Sequence, residues 1–446
     1  MIGRTTPHPR CITLSIAACL AALALAPLSA ARAQLSEDLD RRLSTMNDPS
    51  EGWATIRGLM EGKYPFPDPD PRSPDAPRYD APDIEPVNAE LLELVAESAE
   101  RQWTGVAVAP DGRVFVCYPR WFTRYEHAVE VPGADGGGEP YPSLEWQVVL
   151  PEDSFRERFL CVQALYVDDE NRLWVLDTGA PKFGPVFRPG GAKLLAFNLT
   201  TNELVEQIEF DPDSAPDGTY LNDVRVDTTR DMAYITDSGS GAIVVVDLLN
   251  RTSWRALDRH PSTAGVGGFQ PVIEGRPLKM AHNGEAPVIQ ADGIALSADG
   301  ETLFFQAITS RFRYSVPTAV LANRIAAPTD RAGAVALAQP APVSDGILMT
   351  SDGTLLFTAL EHSGIIARLP GGEHRLLVRD ARLAWPDSLA LGPNGYLYVT
   401  TAQIHRGHPF ARKGEFEPEP YRVFRFDLAA ALEASERVTV RPNGGE

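Results

Sequence analysis

From about residue 90 onward the chain is a succession of short apolar runs rich in Val, Ile, Leu and aromatic residues. Polar pairs interrupt them, most often Asp-Gly or Asn-Gly. Runs this short, bounded by turn residues, predict strands rather than helices. A long strand-rich chain invites a search for a repeat, and six segments align: WTGVAVAPDGRVFVCY (103–118), VQALYVDDENRLWVLD (162–177), NDVRVDTTRDMAYITD (222–237), ADGIALSADGETLFFQ (291–306), SDGILMTSDGTLLFTA (344–359) and PDSLALGPNGYLYVTT (386–401). The second residue of each serves as an anchor: Thr104, Gln163, Asp223, Asp292, Asp345 and Asp387. A turn pair follows every anchor at the same offset: Asp111-Gly112, Glu170-Asn171, Arg230-Asp231, Asp299-Gly300, Asp352-Gly353 and Asn394-Gly395.

Each unit therefore reads as strand, tight turn, strand. The turn pair supplies the positive φ that a two-residue hairpin needs. One hairpin cannot bury both its faces, and radial stacking of four-stranded blades solves that at this period. The prediction is an all-β fold, a six-bladed β-propeller over residues 91–430. A β-sandwich with chance turns would not give six matching offsets. The anchors lie 59, 60, 69, 53 and 42 residues apart, so insertions of unequal length separate the hairpins. Residues 93–98 are expected to pair with 421–427 and close the ring, removing its open edges. The first strand of each unit lines the axis, so the anchors, with Asn222 beside Asp223, should ring one mouth of the channel.

The flanks differ in character. Residues 1–33 carry Arg4 and Arg10, then an apolar run to about Leu28, then Ala31-Arg32-Ala33, the pattern of a cleaved export signal. Pro27 and the shortness of the run argue against a membrane anchor. Ile16-Ala17-Ala18-Cys19 also fits a lipoprotein box, but the apolar run continues past Cys19. A secreted or periplasmic protein beginning near Gln34 is expected, with no membrane attachment after cleavage. Residues 34–90 form an extension with a short helical or irregular lead and a Pro-rich arm at 64–88, where repeated Pro excludes helix and central strand. An Ala-rich stretch at 318–340 has room for one short helix, and residues 431–446 read as a tail.

Charge narrows the partners. The chain holds 41 Lys and Arg against 60 Asp and Glu. Loss of the three Arg in residues 1–33 would leave 38 against 60, a balance of −22. Such a surface repels nucleic acid and anionic lipid. A monomer with a small-molecule ligand is the expectation. Cys117 and Cys161 would remain after cleavage. An oxidising compartment permits one disulfide between them, and two separate buried thiols fit equally well.

These segments resemble the major royal jelly protein and yellow family. The resemblance rests on GVAVAPDGRVFVCYPRW (105–121), NRLWVLDTG (171–179), AYITDSGSGAIVVVDLLNRTSWRAL (233–257), TSRFRYSVPTAVL (309–321) and SDGILMTSDGTLLFTAL (344–360), and runs in order over about residues 90–428. It implies an exported six-bladed propeller. It also implies small amines or sterols bound at the axis, or dopachrome conversion as in some insect members. The leader and the low Cys count point to a bacterial member. The repeats are more distantly similar to gluconolactonase and senescence-marker propellers, which hold a divalent metal through Glu, Asn, Asn and Asp. Asn222 and Asp345 match that set, whereas Thr104 replaces the Glu and Asp292 the second Asn.

The ring of Thr104, Gln163, Asn222, Asp223, Asp292, Asp345 and Asp387 is thus the candidate ligand site. Crowded carboxylates repel unless hydrated, protonated or bound to a cation. Asn222, Asp292 and Asp345 are candidate ligands for Ca²⁺ or another divalent cation, which favours hard oxygens. The alternative gives these Asp residues a structural role, bonded to backbone N–H groups. No G-x-S-x-G motif occurs, and His405-x-x-His408 lacks an evident third metal ligand. That pair reads as a surface loop, with Gln403 and His405 able to overhang the channel. Trp103, Tyr118, Trp121, Tyr220, Phe312 and Tyr314 are expected mostly between blades, with any at the mouth able to stack on a ligand. Two functions stay open: a binding protein for a small, cationic or polyhydroxy ligand, and a metal-assisted lactonase-like hydrolase or tautomerase at the same mouth. A third reading is an inert scaffold.

Overall fold

The fold is seen in a computed structural model that describes residues 84–123, 126–133, 137–147 and 155–440. The expected export signal and most of the Pro-rich arm lie outside the described residues. Six antiparallel sheets follow one another along the chain and form the blades of a propeller. Blade one begins at Val106–Val108, blade two at Val162–Val167 and blade three at Leu221–Asp227. Blades four, five and six begin at Ala291–Leu296, Ser344–Met349 and Pro386–Leu391. Each first strand pairs with the strand directly after it, so every predicted hairpin forms. The turns behave as their residues require. Gly112 and Gly395 take φ of 88° and 76°, and Asn171 and Asp231 reach 61° and 51° without glycine's freedom.

Alternation along each strand gives every blade two apolar faces. In blade two, Trp174 and Leu176 pack with Val224, Ile235 and Val244 of blade three. Their neighbours Leu173 and Val175 point the other way, onto Phe115 and Val129 of blade one. The core is therefore a series of wedges between blades rather than one central mass.

The ring closes as the pattern predicted. Glu93–Ser98 pairs antiparallel with Tyr421–Asp427, with Leu94 opposite Phe424, so the start of the propeller supplies the outer strand of the last blade. The helix Leu428–Ala434 follows, and Glu436–Val438 then pairs with His374–Arg379 as a fifth strand of blade five. Part of the segment read as a tail is thus bonded to the propeller. The Ala-rich stretch holds two short helices, Thr318–Ala322 and Pro328–Gly333, rather than one. Cys117 and Cys161 are both buried free thiols, and burial pushes each up to about 12.

Candidate functional site

The sequence does not reveal how the anchors are presented. In blades two to six the first strand carries one extra residue at the anchor, a β-bulge. In blade three, for example, Leu221 faces Asp237 and Val224 faces Ile235, two steps matched against three. The same irregularity recurs at Val162/Ala164, Ala291/Ile294, Ser344/Ile347 and Pro386/Leu389. A bulge leaves one backbone group unpaired and re-aims a side chain. Here the loose amides are caught by a hydroxyl from the second strand of the blade. Thr236 Oγ1 accepts from Asp223 N at 3.2 Å, Thr358 Oγ1 from Asp345 N and Gly346 N at 3.2 and 2.9 Å, and Thr400 Oγ1 from Ser388 N at 3.1 Å. Thr236 also donates to the Asp292 carbonyl and Thr400 to the Thr104 carbonyl, both at 2.5 Å. Each of these two threonines thereby staples its own bulge to the next blade. Cys117 holds the equivalent place in blade one and donates to the Gln163 carbonyl at 3.3 Å. Gly293 and Gly346 let adjacent bulges approach: a Cβ there would overlap the carbonyl oxygens of Asp345 and Asp387.

The bulges bring the predicted residues together. Gln163 Nε2 donates to Asn222 Oδ1 at 2.9 Å, and Asn222 Nδ2 donates to Asp292. Asp292 shares a hydrogen bond with Asp345, which accepts from Trp385 Nε1 at 2.7 Å. Trp385 lies in the left-handed region at φ 51°, a strained setting for a bulky residue and one found preferentially at functional sites. Asp387 stands close enough to raise Asp292 by repulsion, and Asp223 raises Asp292, Asp345 and Asp387. Thr104 belongs to the ring, but its hydroxyl donates to the Gln163 carbonyl at 3.0 Å, a scaffolding role.

Electrostatically the ring is unusual. Asp292, Asp345 and Asp387 are 3%, 7% and 5% exposed, and among the described residues none has a Lys, Arg or His ion-pair partner. Burial first, then mutual repulsion, lifts Asp292 and Asp387 well above the usual carboxylate range. Burial pushes Asp345 up to about 6. Two carboxyls in contact cannot both ionise freely, so the Asp292–Asp345 pair retains a proton into the mildly acidic range. Asp223 differs: it is raised by burial but faces Arg225 at 3.0 Å.

The candidate metal ligands Asn222, Asp292 and Asp345 are linked one to the next by hydrogen bonds. Asn222 turns its amide nitrogen toward Asp292 and its oxygen toward Gln163. Among the described residues no group of three or more His, Cys, Asp and Glu side chains is placed to share one metal ion. The donors include hard oxygens of the kind a divalent cation favours.

Aromatic residues divide into two sets. Tyr220 OH donates to Gln163 Oε1 at 2.9 Å and accepts from Trp121 Nε1 at 2.6 Å, so both reach the ring. Phe183 stacks on Trp121 with centroids 5.0 Å apart, a third member that sequence reading missed. Trp103 and Tyr118 pack between blades one and six. Phe312 and Tyr314 lie on the third strand of blade four, away from the axis.

His405 is the main correction. It is buried, 7% exposed, rather than on a surface loop. Its ring stacks on Trp385, and its neighbour Ile404 packs against the cores of blades two and three as well as against Ile308 and Val343. The loop after blade six therefore passes over the ring of anchors. Ala281 N donates to the Pro409 carbonyl at 2.9 Å, joining that loop to the insertion between blades three and four. Together they form a cap, which explains why residues expected at an open mouth are buried.

Comparison with known proteins places this architecture. The chain is 25% identical to Protein yellow of Drosophila madeirensis over 274 residues, 57% of this chain and 46% of that one. It is 30% identical to Major royal jelly protein 1 of Apis mellifera over 199 residues, 41% of this chain and 42% of the relative. The matches thus span less than half the length of these relatives. Among solved structures, a calcium-binding regucalcin from Agrobacterium tumefaciens superposes with a TM-score of 0.44 at 15% identity, over 75% of this chain and 93% of that one. A gluconolactonase from Xanthomonas campestris gives 0.44 at 14%, over 79% and 99%. The model of the family described as Major royal jelly protein matches residues 160–408, from the entrance to blade two through the capping loop after blade six, and the chain belongs to that family.

Proposed function

We propose that this protein is an exported binding protein that holds a small organic cation at the axial ring. The observation that carries the reading is the buried set Asp292, Asp345 and Asp387 with no cationic partner among the described residues. Buried carboxylates normally ionise only beside a cation. An ammonium group would supply that charge and could hydrogen-bond to several acceptors at once. Trp121, Phe183 and Tyr220 adjoin the ring through Gln163 and offer a face for an attached ring or alkyl body. Export is supported by the leader-like residues 1–33. Among the described residues no helix is long and apolar enough to cross a membrane.

A hydrolase or tautomerase reading draws on the raised Asp345, which could take or give a proton near neutrality.

The test is calorimetric titration of the full mature chain with tyramine and, separately, with Ca²⁺. Asp292→Asn should weaken tyramine binding by more than about tenfold, roughly 1.4 kcal/mol, while the melting temperature of the free protein holds or rises. A structural role predicts the opposite: a lower melting temperature from orphaned donors and unchanged affinity. Saturable Ca²⁺ binding lost in the same variant would move the assignment to a metal site.

A further inference from the structure

Four arginines are buried among the described residues, and they differ in what they meet. Arg101 pairs with Glu130 and Arg225 with Asp223. Arg331 donates to the carbonyls of Asn323 and Arg324. Arg313 is the most deeply buried, at 4% exposed, yet among the described residues it has neither a hydrogen bond nor an ion pair. Its guanidinium lies over the Phe304 ring at 5.2 Å, a contact that supplies no acceptor in its plane. Nε is enclosed and unpaired, whereas Nη1 and Nη2 are not enclosed. A buried guanidinium without a counter-charge is unfavourable. Arg313 belongs to the TSRFRYSVPTAVL stretch, which the axial site does not use.

Alternation along the strands fixes where it points. In Phe312–Pro317, the third strand of blade four, Tyr314 and Val316 pack with Tyr234 and Ile243 of blade three. Arg313 therefore faces blade five, as does Phe304, which packs with Ile347, Leu355 and Phe357 of that blade. On blade five, Arg368 is paired with Leu355 on one side and with His374 on the other, so these three share the face turned to blade four. Arg313, Arg368 and His374 thus meet in the outer half of the wedge between the two blades. Burial first, then Arg368, lowers Arg313 to about 10. Burial, then Arg368 and Arg313, lowers His374 to about 4. No acidic group offsets either shift. Arg368 and His374 are partly exposed, and among the described residues neither has a hydrogen bond or an ion pair.

We propose that this wedge binds a small tetrahedral oxyanion of the phosphate type. The anion lies against the Nη edge of Arg313, with Arg368 and His374 donating from blade five, and supplies the negative charge that the two arginines lack. A carboxylate has two oxygens in one plane and is satisfied by a single guanidinium. Donors from three strands suit an anion with oxygens in four directions. On a chain of net charge −19, two arginines and a histidine with no acid among them are a local reversal of sign. The site lies on third and fourth strands, away from the axial ring, and nothing in it depends on that ring.

The experiment is calorimetric titration of the full mature chain with inorganic phosphate, glycerol phosphate and acetate, at constant ionic strength so that screening is fixed. Both phosphates should bind at least about tenfold more tightly than acetate. Tighter binding of glycerol phosphate assigns the site to phosphate esters, and equal or weaker binding assigns it to the free anion. Arg368 is partly exposed, so R368Q should fold normally. It should weaken phosphate by about tenfold or more and leave tyramine unaffected. Saturating phosphate should raise the melting temperature of the parent and leave that of R313M unchanged. No saturable phosphate binding, acetate as tight as phosphate, undiminished affinity in R368Q, or a folded R313M that still responds to phosphate would each overturn the proposal. If R313M does not fold, R368Q decides.

Discussion

Two groups of carboxylates are buried in this propeller, and their surroundings are opposite. In blade one Glu130 is fully buried and accepts from Arg101 at 2.7 Å, His127 at 2.9 Å and Tyr118 OH at 2.5 Å. Despite burial, these partners hold it below the usual carboxylate range. At the axis Asp292, Asp345 and Asp387 are buried almost as deeply, bond chiefly to neutral groups and one another, and are all raised. Burial alone therefore does not set the direction in which an acid is shifted here. The presence or absence of a counter-cation does. A saturated cluster has nothing left to offer, whereas an unsaturated one is complete only when something joins it.

The largest expected effect tests the saturated member. Arg101→Met leaves Glu130 buried without its cation and should destabilise the protein by about 3–5 kcal/mol, read by urea denaturation, with no change in tyramine affinity. A variant as stable as the parent would place Glu130 among the unsaturated acids.

The pH dependence comes next and separates the two clusters by sign. Asp345 has its folded value raised from 3.8 to about 6, so the folded state holds more protons than the unfolded one across that window. Stability from this source is full below about pH 4 and declines as pH rises through about 6, by an amount on the order of 2–3 kcal/mol. Glu130 is lowered from 4.5, so its contribution is present above about pH 4.5 and is lost as pH falls below it. Thermal melts of the ligand-free protein should show both arms. Asp345→Asn should reduce the decline through about pH 6, leaving the part that Asp292 and Asp387 contribute, and bound tyramine should offset it. A decline through about pH 6 that is undiminished in Asp345→Asn would break the contrast.

A smaller effect concerns the frame that aims the ring. Thr358→Val keeps the shape but leaves the amides of Asp345 and Gly346 without their acceptor, for a loss of about 2 kcal/mol. Thr358→Ser should retain most of the stability. The smallest effect is at Cys117, where the thiol replaces threonine in the same stapling position. Cys117→Ser should stay within about 0.5 kcal/mol of the parent, and Cys117→Ala should lose about 1 kcal/mol. If serine and alanine behave alike, the position does not staple.

Much of the scaffold could be read from the chain because its information is local. A turn pair at a constant distance from an anchor identifies a hairpin, and repetition of that distance identifies the propeller. The anchors were legible as ring members for the same reason. The bulges were not, since an extra residue in one strand is visible only once its partner is known. A trace existed in the recurring threonine of ITD, FTA and VTT, at the same distance from Asp223, Asp345 and Asp387. The cap was hidden because Glu274 and His405 meet only in space, across insertions with no repeat to align. His405 sits among Gly, Pro and Arg, a composition that reads as exposed. The fate of Cys117 and Cys161 stayed open because sequence separation carries no information about distance in a ring.

The strand that closes the ring has a consequence in time. Glu93–Ser98 leaves the ribosome more than 300 residues ahead of its partner Tyr421–Asp427. Blade six cannot be completed until the strands of all the other blades have been made. Until then the propeller is an open crescent with two bare sheet edges, each a template for pairing with another chain. Contacts this far apart also make folding slow. Closure of the ring is thus the step that removes those two edges together.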